Sequence, residues 1–468
     1  MKFRWVLIAT GVVVCAAAAL YGYAYHTYPP TGVHPAVAGT PAPEPPATPA
    51  TLPPPSLAPA PAAETPAPST KDLFARCVRG GFPTPENAER RNADCSKAIG
   101  SRELSPDDLA LARLIRGSAR ATLGDKVMAS DDYNDALKRY DSLINSKSPD
   151  ALNLFRRAAA ADALGMTEQA LDDYNQALRL DPKSALAFLG RGVLLASRKR
   201  AYQRAIEDFD KVLVLEPDNV LALIRRGEAF GELGETGRAL VDLDRAIALA
   251  PSSTQAYFQR GLIHRRRNEV QAALSDYDAA IQRGPRNVDA LTSRAAIYSL
   301  DGKLDLAIRD LDAAIAVDKR NPVAFFNRGY ARFAQADYQK AIADYTAAID
   351  LDENFGLAYN NRCLARAIAG RDLLKALADC DVALRLMPLS LDVRDTRGFI
   401  YLKLGDDALA LADYNAALDM DPNRATALFG RGLARIRTGD VKGGDADKAA
   451  ARTLNPEVDK RFAVFGLN

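Results

Sequence analysis

The chain of 468 residues is 48% hydrophobic and 26% charged, and its formal net charge is +2. A balance this close to neutral gives no whole-chain reason to expect nucleic acid as a partner. Only three histidines are present, so a histidine-rich metal site or a Ser/His/Asp triad has almost nothing to draw on. Composition therefore argues against a catalytic centre, and we expect neither enzymatic activity nor a cofactor.

Residues 1–28 are predicted to be a transmembrane anchor or a signal sequence. Lys2 and Arg4 precede a stretch, Trp5–Tyr25, that carries no formal charge. A run of about 20 apolar residues is long enough to cross a bilayer as a helix, and the basic residues before it predict a cytoplasmic start. An uncleaved anchor is favoured, and a cleaved signal peptide is the alternative. Both interpretations put the rest of the chain outside the cytoplasm.

Residues 29–70 are predicted to be an extended linker. Of these 42 residues, 15 are proline and 10 are alanine. Such a composition cannot bury a core and is typical of a semi-rigid spacer. At about 3.1 Å per residue in polyproline II, the spacer would reach on the order of 130 Å.

The remaining chain repeats itself from Ala110 to Val458. An arginine, usually followed by glycine, recurs at intervals of 34 residues, with two units of 35 and a first unit of 41. We number each repeat so that this arginine is position 7. The ten arginines are Arg116, Arg157, Arg191, Arg226, Arg260, Arg294, Arg328, Arg362, Arg397 and Arg431. Each unit contains two amphipathic helical patterns and then a break that often contains proline, which cannot continue a helix.

Three further positions recur with this arginine. Corrected for inserts, position 20 is alanine in nine units and Gly444 in the last, and position 27 is alanine in all units except at Val212. Position 24 is mostly aromatic. These units resemble tetratricopeptide repeats, and the resemblance covers about three-quarters of the chain. It implies a right-handed all-α solenoid of about ten helix pairs, in which every pair needs its neighbours to bury its apolar face.

A second regularity is an aspartate at position 23 of every unit. The pairs are Arg116 with Asp132, Arg157 with Asp173, Arg191 with Asp208, Arg226 with Asp242, Arg260 with Asp276, Arg294 with Asp310, Arg328 with Asp344, Arg362 with Asp379, Arg397 with Asp413 and Arg431 with Asp447. Opposite charges on the two facing helices of each unit predict a ladder of ion pairs. We expect these pairs to specify register more than they add net stability. A stripe of anion-binding arginines is the less favoured alternative.

The cysteines fit an oxidising compartment. Residues 71–109 are predicted to form an N-terminal cap in which a disulfide between Cys77 and Cys95 joins an incomplete helical pair. Cys363 and Cys380 take positions 8 and 24 of one repeat, where core residues are usual, so two buried thiols are favoured there over a bridge. Residues 459–468 are predicted to be a C-terminal tail.

The family resemblance implies a protein partner, usually an extended peptide or helix in the concave groove lined by positions 2, 5, 9, 12 and 13 of the first helices. These positions, with adjacent amides, give the candidate binding residues Phe258, Phe326, Asn327, Tyr330, Phe333, Asn360, Asn361, Phe399 and Phe429. Aromatic rings supply contact area and amides fix orientation, although the rings could instead pack between neighbouring first helices.

The sequence therefore predicts a non-enzymatic interaction scaffold tethered to a membrane and displayed on its outer side. The Ala-, Arg- and Asp-rich composition suggests a bacterial inner membrane with the repeats in the periplasm, or secretion to the periplasm after cleavage. The alternative function is a targeting or adaptor subunit for a cell-envelope enzyme complex.

Overall fold

The computed structural model describes residues 68–79, 87–146, 150–370, 372–464 and 466–467, and the predicted anchor and nearly all of the predicted linker lie outside them. These described residues contain helices and turns and no β-strand. They divide after Leu249 into an N-terminal and a C-terminal compact unit. An all-helical repeat architecture is thus confirmed for both units.

The N-terminal unit consists of successive helix pairs. Its helices are α1 Thr70–Val78, α2 Ala88–Gly100, α3 Pro106–Thr122, α4 Lys126–Ser146, α5 Ala151–Ala163, α6 Thr167–Leu180, α7 Ala185–Ser197, α8 Tyr202–Leu215, α9 Val220–Glu232 and α10 Thr236–Leu249. The pair α1 and α2 packs against α3, and the four pairs from α3 to α10 stack on one another.

The C-terminal unit continues the same arrangement. Its helices are α11 Thr254–Arg266, α12 Val270–Arg283, α13 Val288–Leu300, α14 Leu304–Val317, α15 Pro322–Ala334, α16 Tyr338–Leu351, α17 Gly356–Ile368, α18 Leu373–Leu386, α19 Leu391–Leu404, α20 Asp407–Met420, α21 Ala425–Arg437, α22 Val441–Leu454 and α23 Val458–Val464. The short helix α23 lies in the predicted C-terminal tail and packs against α21 and α22.

Local sequence signals set the ends of the first helices. A short polar side chain precedes most of them and accepts a hydrogen bond from the backbone N–H three residues later. Examples are Ser105, Ser184, Asn219 and Asn321. Such caps satisfy one of the N–H groups that a helix start leaves without a partner. The chain then turns to the second helix through a residue in the left-handed conformation, such as Gly165 with φ of 78°.

Small residues at positions 8 and 20 let the two helices of a repeat approach closely. The position 20 alanines are almost fully buried throughout the stack. A Cβ atom added to Gly329 would lie 2.8 Å from Cε1 of Tyr345, because the position 24 ring rests on the glycine backbone. Position 8 is therefore small because an aromatic ring occupies the space above it.

Two disulfides join the first and second helices of a pair. Cys77 and Cys95 link α1 to α2, with Cα atoms 4.8 Å apart, and Cys363 and Cys380 link α17 to α18, with Cα atoms 5.6 Å apart. The second bridge corrects the sequence-based preference for two buried thiols. Positions 8 and 24 face each other closely in every repeat, so two cysteines placed there are within bonding reach.

Candidate functional site

In each unit the first helices of consecutive repeats contact one another and form a continuous surface, which we call the first-helix face. In the N-terminal unit α3 contacts α5, α5 contacts α7 and α7 contacts α9. In the C-terminal unit the same relation links α13, α15, α17, α19 and α21. The nine candidate binding residues all lie on first helices.

The predicted ion-pair ladder is present in all ten repeats. Each position 7 arginine donates two parallel hydrogen bonds to the position 23 aspartate, from Nε at 2.7–3.1 Å and from Nη2 at 2.6–2.7 Å. The ten aspartates are each at most 7% exposed. Planar, bidentate pairing of this kind is the strong form of the arginine–carboxylate contact.

The ladder also connects neighbouring repeats, which the sequence analysis missed. The remaining nitrogen, Nη1, donates to a polar side chain on the second helix of the preceding repeat, 16 residues earlier, as from Arg226 to Asp210 at 2.6 Å. The acceptors of this kind are Asp141, Asn175, Asp210, Asp278, Asp312, Thr346, Asp381 and Asn415. The signal was present as a recurring Asp, Asn or Thr two residues after most of the ladder aspartates.

The hydrogen-bond donors of the ladder arginines are therefore occupied largely by other side chains of the same protein. Hydrogen bonds from Arg226 to Asp242 are the main reason that the pKa of Arg226 lies above its ordinary value. Aromatic rings from the same first helix also lie against several of these guanidinium groups, such as Phe325 beside Arg328 at 5.4 Å from the ring centroid. This arrangement favours the structural interpretation of the arginine stripe over the anion-binding one.

Five of the nine candidate binding residues are buried. Phe326 is fully buried, with its ring centroid 5.8 Å from that of Tyr345 and 4.9 Å from that of Phe355. The tail helix α23 covers two more, because the ring centroids of Phe399 and Phe429 lie 6.4 and 4.8 Å from that of Phe462. The buried candidates are Phe326, Tyr330, Asn360, Phe399 and Phe429. These side chains pack beneath the first-helix face in this structure.

The other four candidates are half-buried: Phe258, Asn327, Phe333 and Asn361. Asn361 and the buried Asn360 lie side by side, and Nδ2 of Asn360 donates to Oδ1 of Asn361 at 3.4 Å. The Oδ1 atom of Asn360 is buried without a hydrogen-bond partner. Since an unsatisfied buried carbonyl is unfavourable, this position is suited to accept a donor from a ligand.

The N-terminal unit carries a row of exposed leucines that the sequence analysis did not select. Leu152, Leu186 and Leu221 occupy position 2 of three consecutive repeats and are 48%, 55% and 41% exposed. Half-buried Phe155 and Leu189 lie at position 5 of the first two of these repeats. Leucine at position 2 of four successive repeats, beginning with Leu111, was the sequence signal that could have revealed this surface.

Among the residues that the structure describes, no group of three or more His, Cys, Asp or Glu side chains is placed to hold a metal ion. Within the same part of the chain, no helix is both long and apolar enough to cross a membrane.

Family comparisons match the repeats at four places along the chain. Models described as tetratricopeptide repeat match residues 224–288, 397–454 and 322–355, and a model described as TPR repeat matches residues 163–197. No curated protein matches the chain.

Solved structures of repeat proteins are also similar to this chain. The C-terminal part of a TPR repeat-containing protein from Cytophaga hutchinsonii is 20% identical, with a TM-score of 0.40, over 51% of this chain and 97% of that one. A tetratricopeptide repeat protein from Parabacteroides merdae is 19% identical, with a TM-score of 0.41, over 55% of this chain and 98% of that one. YrrB, described as a TPR protein with an unusual peptide-binding site, is 27% identical, with a TM-score of 0.32, over 40% of this chain and 95% of that one.

The segment 322–355 is one unit of the arginine register, the other matched segments lie within the repeats, and the helix pairs lie where that register predicts them. The chain contains tetratricopeptide repeats.

Proposed function

We propose that this protein is a non-enzymatic scaffold that binds an apolar segment of a partner protein on the first-helix face of α5, α7 and α9. The observation that carries the proposal is the row of exposed leucines formed by Leu152, Leu186 and Leu221. Scattered apolar side chains are normal on protein surfaces, but these three lie at position 2, which the family resemblance assigns to the concave groove, and half-buried apolar side chains accompany them on the same helices.

The surroundings of the row support an apolar ligand. Phe155, Leu189 and Val193 are half-buried beside the leucines and extend the apolar surface between the helices. The nearby ladder arginines Arg157 and Arg191 are already paired with Asp173 and Asp208, so they add little free charge. A binding partner would therefore meet hydrocarbon rather than unpaired cations on this part of the face.

The spacing of the leucines suggests how a partner would be recognised. Packed helices lie about 8–10 Å apart, so neighbouring leucines are separated by roughly that distance. A helix rises about 10.5 Å over seven residues. A helical partner crossing α5, α7 and α9 would therefore present one apolar side chain every two turns, the helix-in-groove mode of recognition.

The C-terminal unit offers a second, more polar part of the surface for an extended peptide. Phe258, Asn327, Phe333 and Asn361 are the candidate residues that remain accessible there. Amide side chains supply both donors and acceptors, which suits contact with a peptide backbone.

We also propose that the repeats lie outside the cytoplasm, held to a membrane by residues 1–28 and the Pro- and Ala-rich linker. The basic residues Lys2 and Arg4 before the apolar run support this orientation. The disulfides Cys77–Cys95 and Cys363–Cys380 support it independently, because such bonds persist in oxidising compartments.

The docking proposal is tested by replacing the exposed leucines with glutamine. A photo-crosslinking residue at position 186 first captures the partner in cells, and the affinity of the purified partner is then measured. The triple variant Leu152→Gln, Leu186→Gln and Leu221→Gln should bind at least about tenfold more weakly, because each leucine would otherwise contribute roughly 1 kcal/mol or more of apolar burial.

A matched control uses three leucines at the ends of the second helices of the same repeats. Leu180, Leu215 and Leu249 are 54%, 39% and 42% exposed, close to the values of the tested row. Replacing these three with glutamine should leave affinity unchanged. Equal loss in both triple variants, or no loss in the first, would contradict the proposed face.

A further inference from the structure

The C-terminal unit contains a polar cleft between the end of α18 and the start of α19. It has a volume of about 380 Å³ and is lined by Asp381, Leu384, Arg385, Pro388, Arg394 and Arg397. This size lies at the lower end of the range for sites that bind small ligands. The lining belongs to positions 25, 28, 29 and 32 of one repeat and to positions 4 and 7 of the next, so none of it lies in the first-helix binding positions.

An unusual residue at position 4 shapes this cleft. Eight of the ten repeats have a large apolar side chain there: Leu154, Phe188, Leu223, Tyr257, Leu291, Phe325, Tyr359 and Leu428. Arg113 is one of the two exceptions, and its Nη1 lies 2.9 Å from Oδ1 of Asp132. Arg394 is the other, and the nearest carboxylate oxygen recorded for it among the described residues, on Asp413, is 4.0 Å from its Nη1.

The guanidinium group of Arg394 has more hydrogen-bond donors than recorded acceptors. Its Nη2 donates to the backbone oxygen of Pro388 at 3.2 Å. Its Nη1 is 4.0 Å from the nearest oxygen of Asp413, whose two oxygens already accept from Arg397. Its Nε is buried and has no hydrogen-bond partner among the described residues. A charged group whose donors are not all paired is costly to bury, so the Arg394 guanidinium retains capacity for a further acceptor.

The charges around the cleft do not balance. Arg397 is paired with Asp381 and Asp413, whereas Arg385 is exposed and forms no ion pair with the residues that the structure describes. Three arginines against these two aspartates leave a formal charge of +1 at the cleft. This excess matches a singly charged anion.

We propose that this cleft binds a peptide carboxylate, either a chain terminus or an acidic side chain, between Arg385 and Arg394. A guanidinium fork matches the planar carboxylate group. Leu384 and Pro388 provide an apolar wall for the side chain next to it. A doubly charged phosphate fits less well because Asp381 and Asp413 would repel its second charge. This site does not depend on the docking proposal, since it lies in the other unit.

Calorimetric titration of the full-length chain in neutral detergent tests the proposal with three peptides. These are N-acetyl-Ala-Ala-Leu with a free terminal carboxylate, the same peptide as its amide, and N-acetyl-Ala-Glu-Leu amide. The two carboxylate-bearing peptides should bind, and the neutral amide should not. Binding should weaken with added salt because exposed charges contribute to it. Equal binding of the neutral amide would overturn the assignment.

Two variants locate the site. Arg394→Leu installs a residue that other repeats carry at this position, and Arg385→Gln changes an exposed side chain. Each should weaken binding about tenfold, as expected for the loss of a charge-assisted hydrogen bond. Arg179→Gln is the matched control, because Arg179 holds the same position as Arg385 but the next repeat has Phe188 in place of an arginine at position 4.

The thermal unfolding midpoint of each variant should stay within a few degrees of that of the parent chain. Unchanged binding in both Arg394→Leu and Arg385→Gln would overturn the proposal, as would inorganic phosphate that binds more tightly than either carboxylate peptide. The leucine variant of the docking face should retain full peptide binding, so the two proposals can fail separately.

Discussion

At the scale of single residues, the arginine at position 7 does more than its pairing with aspartate suggests. It holds the two helices of its own repeat together through Nε and Nη2, and in most repeats it reaches the preceding one through Nη1, as Arg294 does to Asp278 at 2.6 Å. Register within a repeat and register between repeats thus depend on one side chain. Replacing such buried pairs with apolar residues is often neutral, but breaking them is strongly unfavourable.

The first prediction compares two ladder aspartates. Asp132 is fully buried and accepts from Arg113, Arg116 and Arg120 at 2.6–2.9 Å. Asp132→Asn should therefore lower the free energy of opening of α3 and α4 by about 3 kcal/mol or more, since it leaves three cations without their carboxylate. Hydrogen exchange of the α3 and α4 amides measures this opening.

The comparison variant is Asp242→Asn. Arg226 would lose Asp242 but would keep Asp210, with which Nη1 forms an ion pair at 2.6 Å. The loss in its repeat should be clearly smaller than that caused by Asp132→Asn. Equal losses would show that the number of paired arginines does not set the contribution of each aspartate.

The second prediction concerns the last repeat, where Gly444 replaces the alanine of the other nine. A Cβ atom added to Gly444 would lie 2.6 Å from the backbone oxygen of Gly432, and the reverse distance, from Gly432 to the oxygen of Gly444, is 2.7 Å. Gly444→Ala should destabilise the last repeat by about 1–3 kcal/mol, although it restores the common residue, because backbone cannot move aside cheaply.

Gly237→Ala is its control. This glycine lies in α10, and a Cβ atom there would meet nothing within 4 Å. It should stabilise the protein by about 0.5–1 kcal/mol through helix propensity alone. Urea unfolding monitored by circular dichroism compares the two variants, and stabilisation by both would refute the close helix approach.

At the scale of elements, the unit of construction is a helix pair whose contact is centred on positions 8 and 24. That contact takes two chemical forms. In most repeats a small residue meets a large side chain, as Gly261 meets Tyr277, where an added Cβ would lie 2.7 Å from the ring. In two helix pairs, cysteines on the facing helices form a covalent bond instead, at Cys77–Cys95 and Cys363–Cys380.

The third prediction follows from the position of these bridges. Protein isolated without reductant should show no thiol at Cys77, Cys95, Cys363 or Cys380 when treated with a thiol reagent. The double variant Cys77→Ala, Cys95→Ala should lose about 3 kcal/mol by loop-closure arithmetic, and the loss should be confined to α1 and α2. Stability in such arrays is largely a matter of nearest neighbours.

Hydrogen exchange distinguishes local from global effects. Faster exchange in α1 and α2 with unchanged exchange from α5 onward is the expected result. Free, labelled thiols at all four positions in exported protein would contradict both bridges and remove one support for the location outside the cytoplasm.

At the scale of the whole molecule, the sequence predicts a membrane segment at residues 1–28 and a spacer at residues 29–70 before the long array of repeats. The spacer at residues 29–70 would hold the repeats at a distance from the bilayer, where the exposed leucines of α5, α7 and α9 could reach a partner. An array of this kind provides an extended binding surface, which is the usual role of repeat proteins.

The fourth prediction tests the topology. A reporter that is active only in the cytoplasm, fused after Thr70, should remain silent, because Lys2 and Arg4 hold the start of the chain on the cytoplasmic side. The control carries Lys2→Glu and Arg4→Glu, which weaken this signal and should raise reporter activity. Strong activity of the unaltered fusion would overturn the proposed location.

The sequence by itself determined the repeat, its helix pairs and its ten Arg–Asp pairs, because these features recur at a fixed interval and each depends on local chemistry. Tertiary structure alone decided which side chains remain accessible. Phe326 and Leu186 both lie on first helices, yet one is fully buried under Tyr345 and Phe355 and the other is 55% exposed. Burial depends on what the neighbouring helices place opposite a residue, and a periodic pattern does not contain that information.

The same reason explains the cysteines, the tail and the cleft. Cys363 and Cys380 occupy positions that a pattern assigns to the core. They form a disulfide because the close approach of α17 and α18 brings the two sulfur atoms within bonding distance. Phe429 lies at a predicted groove position, but α23 packs over it and buries it. Arg394 differs from its counterparts by one side chain, but the lack of a carboxylate within hydrogen-bonding reach appears only when the chain is folded, since partners are set by distances in space rather than along the sequence.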